Sequence, residues 1–111
     1  MERKYGAFCN IFGTTPRIKI IEFFLEKRGL DFGIGDLSKD TGLNRATTYN
    51  VMSGLIKSKI IVPSRKVSGG RLYKLNSENK DVKLLVDVFN KILERIVNKY
   101  DKGKIKEKVY A

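Results

Sequence analysis

The chain has 111 residues, 41% of them hydrophobic: enough for one domain with a modest core, but too short to bury most of its surface alone. Its net charge of +11, from 23 basic and 12 acidic residues, calls for a polyanionic partner, nucleic acid ahead of an anionic membrane. A single cysteine excludes an internal disulfide or a cysteine-built metal site, and the absence of histidine removes the commonest general base, so neither an enzyme nor a metal or cofactor carrier is expected.

Met1–Gly13 mixes basic residues with the apolar cluster Phe8, Cys9, Ile11 and Phe12, which predicts a partly helical segment packed on something else. Cys9 among these neighbours reads as a buried, inert thiol rather than a redox sensor. Thr15-Pro16 predicts an N-cap with proline at the first helical position, opening a helix over Pro16–Arg28 that stops near Gly29. Its apolar residues fill more than half the wheel and leave a narrow charged strip of Lys19, Glu22 and Glu26. That is more apolar surface than one small core needs, so a partner subunit is expected on this helix. Phe32–Gly35 reads as a short extended piece. Asp36–Thr41 reads as a second helix, closed by Gly42. Asn44 then caps a third helix over Arg45–Lys57, completing a helix-turn-helix.

The β-branched run Ile60-Ile61-Val62 continues through Pro63–Lys66, where Pro63 demands an edge position. Ser68-Gly69-Gly70 is a hairpin turn, and Arg71–Leu75 returns with Tyr73 and Leu75 on one face. Asp81–Tyr100 predicts a long helix with two apolar stripes, one through Val82, Leu85, Phe89, Ile92 and Ile96, the other through Val86, Leu93, Val97 and Tyr100. Asp101–Ala111 reads as a frayed, lysine-rich tail. No stretch is apolar enough to span a membrane and Met1–Tyr5 does not open a signal peptide, so a soluble, cytoplasmic protein is expected.

On the third helix, Thr48, Val51, Met52 and Leu55 fall together and should pack inward. The set Asn44, Arg45, Ala46, Thr47, Tyr49, Asn50 and Ser53 carries the chemistry a major groove requires. Arginine pairs with guanine, asparagine with adenine, and alanine packs on a thymine methyl. The competing reading is an ordinary solvated helix face. Lys57, Lys59, Arg65, Lys66, Arg71 and Lys74 follow with no acid among them, and Ser68, Gly69 and Gly70 keep the hairpin tip slim. These are the candidate phosphate contacts. Candidate dimer contacts are Phe8, Ile11, Phe12, Ile20, Phe23, Val86, Phe89, Leu93, Val97 and Tyr100.

The run Leu37–Ile61, LSKDTGLNRATTYNVMSGLIKSKII, resembles the helix-turn-helix of winged-helix regulators of the MarR and ArsR kind. The hairpin SRKVSGGRLYKL extends the likeness, and FGTTPRIKIIEFFLEK is similar to the first helix of small archaeal winged-helix regulators. Ser38 stands where alanine is common, and Lys59 where glycine usually ends the third helix. The resemblance implies a homodimer on a pseudo-palindromic duplex site and carries no effector-binding residue across.

The expected fold is therefore mainly α with a small β-hairpin (α+β), a winged helix-turn-helix over 14–76. Residues 1–13 and a helix over 77–101 are expected to serve dimerisation, and 102–111 form the basic tail. The expected function is sequence-specific binding of double-stranded DNA in transcription regulation, with no cofactor and no membrane partner. The alternatives are an architectural nucleic-acid binder and a protein-interaction adaptor.

Overall fold

The computed structural model describes residues 6–110, and side chains for residues 6–99. Expectations for Met1–Tyr5, for the Tyr100 side chain and for the tail side chains lie outside the described residues. The element order is α1 (Ala7–Phe12), α2 (Pro16–Glu26), α3 (Ile34–Thr41), α4 (Arg45–Lys57), β1 (Ile61–Val67), β2 (Gly70–Leu75) and α5 (Lys80–Tyr110). No described helix is long and apolar enough to cross a membrane.

Local chemistry sets most of these boundaries. Thr15 Oγ1 accepts from the Ile18 N–H at 3.3 Å with Pro16 at the first helical position, as expected for α2. α2 ends at Glu26, two residues before the expected stop, and α3 begins at Ile34, two residues before the expected start. The reason for the second shift is Asp36. It sits in the first turn rather than opening the helix, and its Oδ2 accepts from the Gly33 N–H at 3.2 Å. Only Phe32 of the expected extended piece Phe32–Gly35 is strand-like, bridged to Tyr73 by both backbone hydrogen bonds at 2.8 Å.

The same bridge accounts for Pro63. In an antiparallel ladder a residue points its N–H and C=O to one side. Tyr73 turns both toward Phe32, so its register partner Pro63 occupies a non-hydrogen-bonded site where no donor is required. One extra residue on β1 between Pro63 and Lys66 makes a bulge at Ser64-Arg65.

The core is built around α2, whose Ile20, Phe23, Phe24 and Leu25 are buried and which packs against α1, α3, α4 and β2. Phe23, Phe24 and Phe32 form an edge-to-face cluster with centroids 4.7–6.1 Å apart. This corrects part of the expected dimer surface. Phe8, Ile20, Phe23 and Phe89 are all buried within the chain, because α1 and α5 fold over α2 and enlarge the core; Phe8 and Phe89 meet edge-on at 6.3 Å. Val86 is half-buried, whereas Ile11, Phe12, Leu93 and Val97 stay exposed. Cys9 is buried, as expected.

Glu22, on the narrow charged strip of α2, is not exposed. It is 1% exposed, and its carboxylate takes the Gly6 N–H at 2.9 Å and the Cys9 N–H at 2.8 Å. These are donors of the first turn of α1, which has no side-chain cap of its own. One side chain thus binds α1 to α2. Gly6 permits the approach: a Cβ there would lie 3.1 Å from Glu26 Oε1 and 3.2 Å from Glu22 Oε2.

The helix expected to end at Tyr100 continues to Tyr110, about 46 Å of helix at 1.5 Å per residue. The tail is therefore helical rather than frayed. Lysine and glutamate are good helix formers, and no proline interrupts them. The architecture is a winged helix-turn-helix, with α2, α3 and α4 bearing the β1–β2 wing and α1 packed against both α2 and α5.

Candidate nucleic-acid interface

α4 is capped by Asn44, whose Oδ1 accepts from the Thr47 N–H at 2.7 Å. That bond turns the Asn44 side chain back onto its own helix, so it serves the cap rather than the base-reading set. Thr48, Met52 and Leu55 are buried and Val51 is half-buried, as the wheel predicts. Thr48 Oγ1 donates to the Asn44 carbonyl at 2.9 Å and lies 3.0 Å from Ser38 Oγ. The serine that departs from the expected alanine thus ties α3 to α4 and helps fix the helix-turn-helix angle.

Arg45, Ala46, Tyr49, Asn50, Ser53 and Lys57 are exposed, and Thr47 is half-buried. Tyr49 is 65% exposed, which excludes a packing role for its ring. The exposed residues form two stripes. Ala46, Asn50, Ser53 and Lys57 follow one another at helical spacing. Arg45, Tyr49 and Ser53 lead into the half-buried Ile56 on the side of the wing.

α4 ends in a left-handed residue. Lys59 has φ 61°, the only positive φ outside glycine among the described residues. The Ile60 N–H bonds back to the Leu55 carbonyl and the Lys59 N–H to Ile56, both at 3.0 Å, which is the Schellman arrangement. The chain supplies lysine where the geometry favours glycine. Asn76 and Asn79 hold it there, their Nδ2 groups donating to the Lys59 carbonyl at 2.9 and 3.0 Å. Asn79 Oδ1 also accepts from Asp81 N–H, opening α5.

Lys57 and Lys59 at the end of α4, and Lys66, Ser68, Gly69, Gly70, Arg71 and Lys74 on the wing, are all exposed. Lys66 and Arg71 are direct cross-strand partners. Like charges placed opposite each other destabilise a hairpin unless a counter-charge is supplied. Among the described residues no carboxylate forms an ion pair with either. Arg65 is different: its Nε lies 3.0 Å from Asp31 Oδ2, which Ser64 Oγ also approaches at 2.8 Å. The bulge aims both side chains at Asp31, so Arg65 braces the wing base and its charge is already answered. Arg65, and then Ser64, hold the Asp31 carboxyl below its ordinary pKa of 3.8.

A basic residue that sequence reading passed over lies on the far side of α4. Arg17, on α2, is exposed, and its Nη1 stands 3.7 Å from where a Cβ on Gly54 would be. Its position in the second place of a capped helix carried no signal for this neighbour. α4 is thus flanked by Arg17 on one side and the basic wing on the other.

No family model and no curated protein matches the sequence. Solved structures do share the fold. A "possible transcriptional regulator" from Methanosarcina mazei Go1 is 20% identical, with 89% of this chain and 82% of that one covered and a TM-score of 0.54. A "predicted DNA-binding transcriptional regulator" from E. coli is 17% identical over 76% of this chain and 86% of that one, with a TM-score of 0.53. A MarR family transcriptional regulator from Silicibacter pomeroyi is 16% identical over 88% and 76%, with a TM-score of 0.50. These likenesses establish the fold; function has to be argued from the site.

Proposed function

We propose that the winged helix-turn-helix of this chain binds double-stranded DNA sequence-specifically, as a homodimer, and regulates transcription. The observation that carries the reading is the exposed surface from α4 through the wing. From Arg45 to Lys74 the chain has seven basic residues (Arg45, Lys57, Lys59, Arg65, Lys66, Arg71, Lys74) and no acid, and Lys66 faces Arg71 across the hairpin. A polyanion supplies the counter-charge that the described residues of the fold do not. Ala46, Asn50 and Ser53 at the front of α4 meet base edges, while Arg17, Lys57, Lys59, Arg71 and Lys74 meet phosphates on either side.

Dimerisation is assigned to α1 and α5. Ile11, Phe12, Leu93, Ile96 and Val97 are exposed there, and Ile11, Ile92 and Ile96 line a groove of about 620 Å³ between the two helices. To enter successive major grooves, the two α4 helices of such a dimer have to stand about 34 Å apart.

The test is selection from a random duplex library at about 150 mM salt, where the Debye length is about 8 Å. An enriched inverted repeat with half-sites about one helical turn apart is the expected result. Retention without enrichment would replace the regulator with an architectural binder, and no retention would point to an adaptor for proteins.

A further inference from the structure

α4 and β2 face each other across a trough whose two walls carry matching chemistry. On α4, Arg45, Tyr49, Ser53 and Ile56 follow at spacings of four, four and three, a single helical stripe. On β2, Arg71 and Tyr73 are two apart and share a face of the strand. The arginines occupy one end of the trough and the tyrosines the other. The arginine end is a cavity of about 440 Å³ that includes both guanidinium-bearing residues and the slim wing tip. The tyrosine end is a niche of about 140 Å³ lined by Tyr49, Ser53, Ile56 and Tyr73, with Ile34 and Met52 beneath. Ile34 and Tyr73 line both, so the two are neighbours.

Gly35 lines the arginine end, and Arg45 Nη1 lies 3.9 Å from where a Cβ would stand there, an ordinary contact distance. Asp36 is the one carboxylate lining it, and its Oδ2 accepts the Gly33 N–H. The niche contains no carboxylate, ammonium or guanidinium. A ligand matching the trough has an anionic group at one end and a small apolar group about 7 Å away, the two-residue rise from Arg71 to Tyr73 along β2. In duplex DNA the C5 methyl of a pyrimidine is the apolar group presented in the major groove, on the edge nearest its own strand.

We propose that the trough is a subsite for a C5-methylpyrimidine nucleotide of the bound duplex, with Arg45 and Arg71 on the backbone phosphate and the Tyr49–Ser53–Ile56–Tyr73 niche on the methyl. The assignment rests on the DNA-binding reading and adds Ile56 and Tyr73 to the residues that set specificity. It moves Arg45 from a base edge to a phosphate. Asn50 and Ala46, on the neighbouring stripe, keep the base edges.

Thymine and 5-methylcytosine carry the same methyl, and three random duplex pools distinguish them: one made with thymine, one with uracil in its place, and one with uracil and 5-methylcytosine. Removing one buried methyl should weaken binding about fourfold per protomer, from about 0.8 kcal/mol per buried carbon. The thymine pool should therefore bind more tightly than the uracil pool. Recovery of affinity in the third pool assigns the niche to the methyl on either ring, and no recovery assigns it to thymine.

Tyr49→Ala, at an exposed position, and Ser53→Val, which fills the niche, should each erase the thymine–uracil difference. Arg45→Ala should weaken all pools by one common factor. Equal binding of the thymine and uracil pools by the unaltered protein overturns the subsite and leaves the regulator reading standing. Binding to none of the pools overturns the regulator reading itself.

Discussion

Glu22→Gln isolates the contact that holds α1. The change preserves the shape of a side chain that is 1% exposed, and replaces one of two accepting oxygens with a donor. Gly6 and Cys9 now offer two N–H groups to one oxygen. One hydrogen bond to a carboxylate, worth about 1.5–3 kcal/mol, is lost. The favourable placement of negative charge at the start of α1 goes with it, about 0.3–1 kcal/mol. The expected loss is about 3 kcal/mol. With an m-value of about 1.5 kcal/mol/M this moves the urea midpoint down by about 2 M. Glu22→Ala removes both bonds and leaves a cavity, so its loss should be larger, about 4–5 kcal/mol. Equilibrium urea unfolding followed by circular dichroism measures both. A Gln variant within about 0.5 kcal/mol of the parent would refute the reasoning, because the spread for a neutral surface change is that small.

Lys59→Gly relieves a left-handed lysine, worth about 1–2 kcal/mol, against the greater freedom of glycine in the unfolded chain; a net gain of about 0.5–1 kcal/mol is expected in thermal or urea melts. If Lys59 contacts phosphate, the same variant flattens the plot of log affinity against log salt by about 0.9 per protomer. Asn50→Ala should reduce the preference for the selected site over random duplex, whereas Arg71→Ala should weaken both alike; equal losses on the two DNAs in both variants would contradict the assignments. Asp31 has a folded pKa below 3.8, so its contribution to stability is present above about pH 4 and disappears as pH falls through the lower folded value. Asp31→Asn should therefore shift the protein toward a flatter acid limb in pH-dependent melts, and an unchanged limb counts against the brace. Val97→Glu, at a position 54% exposed, should leave the melt of the monomer unchanged; if the proposed dimer forms through this face, the variant should sediment as a monomer where the parent does not.

The legible parts of this molecule are those that a few adjacent residues determine. Thr15 and Asn44 cap the helices they precede, and the Ser68-Gly69 turn closes the wing, because each effect spans three or four positions. The inward face of α4 followed from the same short-range periodicity. What escaped was long in sequence and short in space. Glu22 meets its partners 13 and 16 residues away, Arg65 meets Asp31 34 residues away, and Arg17 reaches α4 only once α2 and α4 have crossed. The surplus of apolar residues on α2 points to an interface only if the core is taken to be smaller than it is. Phe8, Phe32 and Phe89 arrive from three separate segments to cover it. α5 continues to Tyr110 because dense charge does not by itself end a helix.

The single bridge between Phe32 and Tyr73 turns a two-stranded ribbon into a three-stranded sheet for the length of one rung. Amide protons on the wing should accordingly divide by position. Those of Phe32 and Tyr73, with the Ile61–Leu75 pairing below them, are fastened on several sides and should exchange with solvent only when the domain opens. Those beyond the bulge, from Lys66 through Arg71, belong to an isolated hairpin and should exchange orders of magnitude faster. On the proposed DNA-binding reading, a grip with a fixed root and a yielding tip would follow minor grooves of different width while keeping its angle to α4, and the breadth of duplex shapes tolerated would be set beyond Ser64-Arg65.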